Sequence, residues 1–342
     1  MIKKLIYSSL ACAMILLCNC ETNPNEIILT NPVAELNAIR LDKLLSEKHT
    51  AKEVHNNLVK YPELYENFFT IMLRAGNKED LFSNQERVDS FTIPTLDLFI
   101  NDTNMQFVFQ SIAEEFPDFS FHEKEISKGF ARTQQLFNSN KSIKIGTFYS
   151  NFNATVLESD DVIWIGLDMY LGKDHPVVDL LPTSKIPQFY KDKMDKKYIL
   201  SDVFFGYLMS HAYEPLGNDF LSRTLAYGKI AYIMTLILPD DAEENKFRYS
   251  KEELDWCIAN ETSIWHFIID NKLLYSKDVS KTDVFFSDGP YTKSLGKDSP
   301  SGVGIWLGYQ IIADYARKTD QTAIEILKEK NIQKLLSTYE PE

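Results

Sequence analysis

Apolar positions recur every three or four residues along most of this chain, the spacing that gathers them on one face of a helix. Residues 33–59 carry Val33, Leu36, Leu41, Leu44 and Leu45 among charged neighbours, and "YPELYENFFTIML" renews the rhythm behind Pro62, a residue suited to a first helical turn. Segments 104–116 and 122–138 read as two more helices, separated by "FPDFS". From Lys197 onward the pattern predicts helices over 198–214, 218–238, 250–270, 301–318 and 320–337. Strand signals are scarce. The best are "SIKIGTFYS" (142–150) and "DVIWIGL" (161–167), short β-branched and aromatic runs bounded by turn residues. "NFNATVLESDD" between them is a connection or a weaker third strand. With no internal repeat, low-complexity segment or compositional break, the expected fold is α+β, predominantly α-helical, as a single domain over 33–342 with a small β-sheet.

The first twenty residues follow another pattern. "MIKKLIYSSLACAMILLCNC" places two lysines before an apolar run that ends at cysteine, which reads as a secretory signal over 1–19. Leu17, three places before Cys20, points to a lipoprotein signal, with Cys20 lipidated (palmitate or a similar acyl chain) and 20–32 as a polar tether. Cleavage after Cys18 would put bulky Leu17 where small residues are wanted. Lipidation would anchor the chain without a transmembrane helix, and no later segment is apolar for long enough to span a bilayer.

Charge and cysteine content narrow the partners. The formal charge of −13 becomes −15 once Lys3 and Lys4 leave with the signal, which argues against nucleic acid as a partner. Of four cysteines only Cys257 would remain in the folded part, so no internal disulfide is expected. It reads as an inert buried thiol.

Candidate chemistry centres on "YLMSHAYEP" (207–215). Leu200, Val203, Phe204, Tyr207, Leu208 and His211 share one helical face, so His211 is expected to point inward. A zinc-protease helix needs two histidines four residues apart and a glutamate beside the first. With His211 first, the base position is Ala212 and the second ligand Pro215; with His211 second, they are Leu208 and Tyr207. Both registers fail at both partners. Glu214 could reach a metal shared with His211, but the set would lack a third ligand. Asp168, Asp174, His175 and Asp179 form the densest polar cluster, following a predicted strand, although Gly172 and Pro176 give it turn chemistry. The acidic runs "ESDDV" (158–162) and "LPDDAEEN" (238–245) read as solvated connections.

In the C-terminal third, "LSRTLAYGKIAYIMTLILPD" (221–240), "WCIANETSIWHFIIDNKLLYS" (256–276) and "SPSGVGIWLGYQIIADYARK" (299–318) resemble the gliding-motility lipoprotein B (GldB) family of Bacteroidota, as does "VIWIGLDMYLGKDHP" (162–176). The resemblance covers roughly 100–340 and is weak over 21–100. It implies an envelope lipoprotein, with the outer membrane as its expected location, that serves gliding and its associated secretion machinery. More distantly the family resembles zinc proteases of the zincin type, whose third ligand comes from a Glu-Gly pair; here Tyr227-Gly228 stands in that place. The resemblance therefore implies a degenerate zincin-like architecture without the catalytic set, and no metal or cofactor.

The glycines around Trp306, at 302, 304 and 308, would let a helix approach another backbone closely. Trp256, Asn260 and Trp265, with Glu261 beside them, would pack or line a groove for a ligand or partner. Three functions follow as expectations: a non-catalytic lipoprotein that binds other envelope proteins, an unconventional zinc peptidase using His211 and Glu214, or a binder of small molecules or glycans.

Overall fold

The computed structural model describes residues 25–30 and 33–341; the expected signal and Cys20 lie outside them. Four strands, β1 (Ile39–Arg40), β2 (Lys144–Phe148), β3 (Val156–Ser159) and β4 (Val162–Gly166), form one sheet in the order β1-β2-β4-β3. β1, β2 and β4 run parallel, and β3 pairs antiparallel with β4. Every residue of β4 is buried, as is all of β2 beyond Lys144. Both faces are covered, which is why β4 is apolar throughout instead of alternating. β3 and β4 are joined by Asp160 and Asp161 with φ of 54° and 58°, the left-handed pair that matches the twist of a two-residue hairpin. Of the two readings of "NFNATVLESDD", a connection or a weaker third strand, the structure forms the strand over Val156–Ser159.

The longer helices, with a few short ones that matter here, are α1 (Ala51–Leu58), α2 (Ile93–Ile100), α3 (Thr103–Glu115), α4 (Ser120–Phe137), α5 (Ile199–His211), α6 (Phe220–Ile237), α7 (Lys251–Ala259), α8 (Glu261–Asp270), α9 (Val303–Lys318), α10 (Ala323–Lys328) and α11 (Ile332–Leu336). Several start where a polar side chain satisfies free backbone N–H groups: Asp102 for α3, Asp219 for α6, and a Ser250–Glu253 capping box for α7. α5 packs against β3, β4 and α4, while α6 is buried around most of its circumference and packs chiefly on α9. One apolar core runs from Leu41 to Leu335 through both the sheet and the helices. The α+β, predominantly helical expectation holds.

Three predicted helices differ. Residues 33–59 are not one helix: β1 pairs with β2, Leu41 N donates to Thr147 O at 3.0 Å, and Asp42 accepts from both Arg40 and Thr147 Oγ1. These long-range bonds overrule the local leucine spacing, and a lasting helix starts only at Ala51, behind the Thr50–Glu53 capping box. The 250–270 segment breaks at Asn260, which ends α7 and starts α8 while its Nδ2 donates to Trp256 O at 2.8 Å. The 320–337 segment divides into α10 and α11, with Asn331 capping the second.

Candidate functional site

His211 is the last residue of α5. Val203, Phe204 and Leu208 of its predicted face are fully buried, and Leu200 and Tyr207 are partly so. His211 itself is exposed, which corrects the inward orientation expected for it. The cause is helix length: the N–H groups of Ala212 and Tyr213 both close on Leu208 O, at 2.8 and 3.0 Å, so the helix ends as the stripe reaches the sheet edge. There His211 Nε2 lies 2.8 and 3.0 Å from the two carboxylate oxygens of Glu158 on β3. Its ring rests on Tyr207 with centroids 4.4 Å apart. Burial, then the nearby Glu158 charge, raises the Tyr207 phenol above its ordinary range. A cavity of about 180 Å³ opens beside them, walled by Phe130, Phe137, Tyr207 and Leu208, with Lys141 and His211 among its polar lining.

Glu214 does not share this arrangement: its carboxylate pairs with Lys330 at 3.1 Å. Tyr227, in place of the third ligand, stands half-buried in an aromatic column between Tyr213, at 5.3 Å, and Phe286, at 5.7 Å. The residue after it explains the motif. A Cβ on Gly228 would fall inside the backbone of Gly308, and one on Gly308 would meet the Thr224 carbonyl, so α6 and α9 touch main chain to main chain. The close approach expected of the glycines near Trp306 thus exists, and its partner is the Tyr227-Gly228 pair. Trp306 is fully buried, with no hydrogen-bond partner for Nε1 among the described residues.

The polar cluster after β4 separates into structural parts. Asp168 is fully buried and accepts bonds from Ser150 N, at 2.8 Å, Ser150 Oγ, at 2.9 Å, and Phe152 N. It fastens a loop in which Asn151 and Phe152 hold left-handed φ of 59° and 55°. Burial pushes its carboxyl up to about 6 against the pull of those bonds. Asp174 is exposed, and His175 Nδ1 accepts from Val177 N at 3.1 Å to cap a one-turn helix. The expected Trp265–Asn260–Glu261 groove is occupied by the chain itself. Tyr339 donates to Glu261 Oε1 at 2.8 Å, and its ring meets the Trp265 ring edge-on at 5.1 Å. Cys257 is a buried free thiol, pushed up by burial, as an inert role requires.

Two arrangements leave no mark in the sequence pattern. Glu158 sits in an acidic run that reads as solvent-facing, and only the β3–β4 hairpin carries it to His211. Arg248 pairs with Asp202, which also accepts from Tyr170 OH at 2.7 Å, while Arg248 Nη2 donates to Lys193 O at 2.8 Å. This network ties α5 to two loops distant in sequence. Spacing offers no signal for it.

Chemically, the His211–Glu158 pair can exchange a proton or bind a polar group at the cavity mouth. Among the described residues no three His, Cys, Asp or Glu side chains are grouped so as to hold a metal ion. Among them, too, no helix is long and apolar enough to cross a membrane. No curated protein and no solved structure matches the chain. A family model described as gliding motility protein GldB matches residues 22–341, reaching well into the N-terminal region where the motif resemblance is weak. The match takes in the sheet, α5 with His211, and the α6–α9 glycine contact, and the chain belongs to the GldB gliding-motility protein family.

Proposed function

We propose that this protein is an envelope lipoprotein, anchored in the outer membrane through Cys20, that works without catalysis by binding other proteins of the gliding and secretion machinery. Family membership supports the gliding-associated lipoprotein role. The non-catalytic reading is carried by the end of α5, where a protease of the zincin type would place its ligands: His211 is held by Glu158, Glu214 by Lys330, and Tyr227 by aromatic neighbours. The single domain over 33–342 is then a degenerate zincin-like scaffold that retains a helix over a small sheet.

The test is complementation of a deletion strain. Wild-type protein, His211→Ala and Glu158→Gln should each restore gliding or secretion, and in-cell crosslinking should recover the same envelope proteins with all three. Zinc in protein purified without chelator should stay well below one ion per chain and be unaffected by His211→Ala. Loss of complementation by His211→Ala, together with loss of stoichiometric zinc, would establish the peptidase reading instead.

A further inference from the structure

We propose that residues 25–30 are a docked strap and not part of a slack tether, so that one fixed face of the protein is presented to the bilayer that holds Cys20. The proposal rests on the lipid-anchor reading above. Asn25 is the clasp: its Nδ2 donates to Tyr232 OH at 3.1 Å and to Gln321 O at 3.3 Å, and its Oδ1 accepts from Ala323 N, the first residue of α10, at 2.8 Å. These partners lie two to three hundred positions away, so this side chain joins the start of the chain to its end. Ile27 packs on the core, and Ile28 O accepts from Gln135 Nε2 at 3.2 Å near the end of α4.

Chain geometry turns this clasp into an orientation. An extended chain covers at most ~3.6 Å per residue, so the five steps from Cys20 to Asn25 reach no farther than about 18 Å. Were the whole 20–32 tether slack, its twelve steps would allow about 43 Å, enough for the body to turn freely. The face formed by Asn25, Gln321, Ala323 and Gln135 must therefore stay near the membrane. Ile28, 66% exposed on this face, places an apolar side chain on the same side. Phe121 lies fourteen residues from Gln135 at the other end of α4, about 21 Å along the helix at ~1.5 Å per residue.

The test uses full-length lipidated protein in vesicles whose lipids carry nitroxide headgroups. A fluorophore is attached at Asp320→Cys, beside the clasp, or at Phe121→Cys, at the far end of α4; both positions are exposed, and the native Cys257 is buried. Quenching should be several-fold stronger at position 320. Asn25→Ala, and separately a twelve-residue Gly-Ser insertion between Thr22 and Asn23, should each reduce that contrast. Equal quenching at the two positions, or a contrast that survives both changes, overturns the strap. Cys20→Ala separates the two readings: if it floats with vesicles as well as the parent, the lipid anchor fails and the strap falls with it. Equal quenching in protein that floats only with Cys20 intact overturns the strap alone.

Discussion

At the scale of single residues, burial sets charge, and two side chains titrate in opposite senses. His122 stacks on Phe119 with centroids 4.8 Å apart, and burial with Lys196 nearby lowers its imidazole from 6.5 to about 4. Asp168 is raised from 3.8 to about 6. As pH falls from 6.5 to 4 the unfolded chain protonates His122 while the folded chain resists, so stability is lost. As pH falls from 6 to 3.8 the folded chain takes up the Asp168 proton before the unfolded chain does, so stability is gained. Each contribution is about 3 kcal/mol, at ~1.36 kcal/mol for every tenfold change in proton affinity, and together they nearly cancel. Urea unfolding between pH 4 and 7 should separate them: His122→Phe should gain stability on acidification relative to wild type, and Asp168→Asn should lose it. Identical pH slopes in all three proteins would refute the assignment. His211 differs, since it and Glu158 have side chains 35% and 29% exposed. Such a pair is worth about 1 kcal/mol or less, so His211→Ala should shift the urea-derived stability by no more than that.

At the scale of elements, glycines decide which helices can touch. Gly228→Ala or Gly308→Ala would force α6 from α9 and should cost about 3 kcal/mol or more, or prevent folding, since backbone lies in the way. Gly206, in α5, is the control: its added Cβ would meet Val156 Cγ1 at 3.5 Å, ordinary contact, so Gly206→Ala should stabilise by about 0.5–1 kcal/mol. Thermal unfolding of the three variants checks both signs, and a mild effect at Gly228 would mean that the helices can separate. These elements also mark what the sequence reveals. Helices α3 to α6 and α9 are legible because apolar residues run through each at helical length, with Asp102 and Asp219 marking the starts of α3 and α6, and β2 and β4 because their β-branched and aromatic runs are bounded by turns. β1 is not, because two residues carry no period and depend on Thr147, a hundred positions away. The Asn260 break is hidden because the helical spacing of Leu254, Cys257, Ile264 and Ile268 continues across it, so only the bond from Asn260 Nδ2 to Trp256 O marks the boundary. The exposure of His211 is equally hidden, because periodicity gives a direction around a helix and says nothing of where the core ends along it.

At the scale of the whole molecule, the chain ends act as fasteners at two separate places around the α6–α9 pair. Asn25 binds α6 and the start of α10, while the C-terminal turn is held by α8 and α9: Lys318 Nζ donates to Thr338 O at 2.8 Å, and Tyr339 reaches Glu261 and Trp265. Glu261 is only 8% exposed, so the phenol both covers an apolar ring and donates to a buried carboxylate. Those two roles can be measured apart. Tyr339→Phe keeps the contact with Trp265 and removes one donor from Glu261, and should cost about 1–2 kcal/mol. Tyr339→Ala removes both, and should cost about 2–4 kcal/mol with a change in tryptophan fluorescence that Tyr339→Phe does not produce. Asn25→Ala at the other end should lower stability by about 1–2 kcal/mol. Since the partners of Tyr339 (Glu261 and Trp265) and of Asn25 (Tyr232, Gln321 and Ala323) do not overlap, the double variant should equal the sum of the two within about 0.5 kcal/mol. A larger discrepancy would show that the two ends are coupled through α6 and α9, and that displacement of the C-terminal turn is felt at the Asn25 clasp.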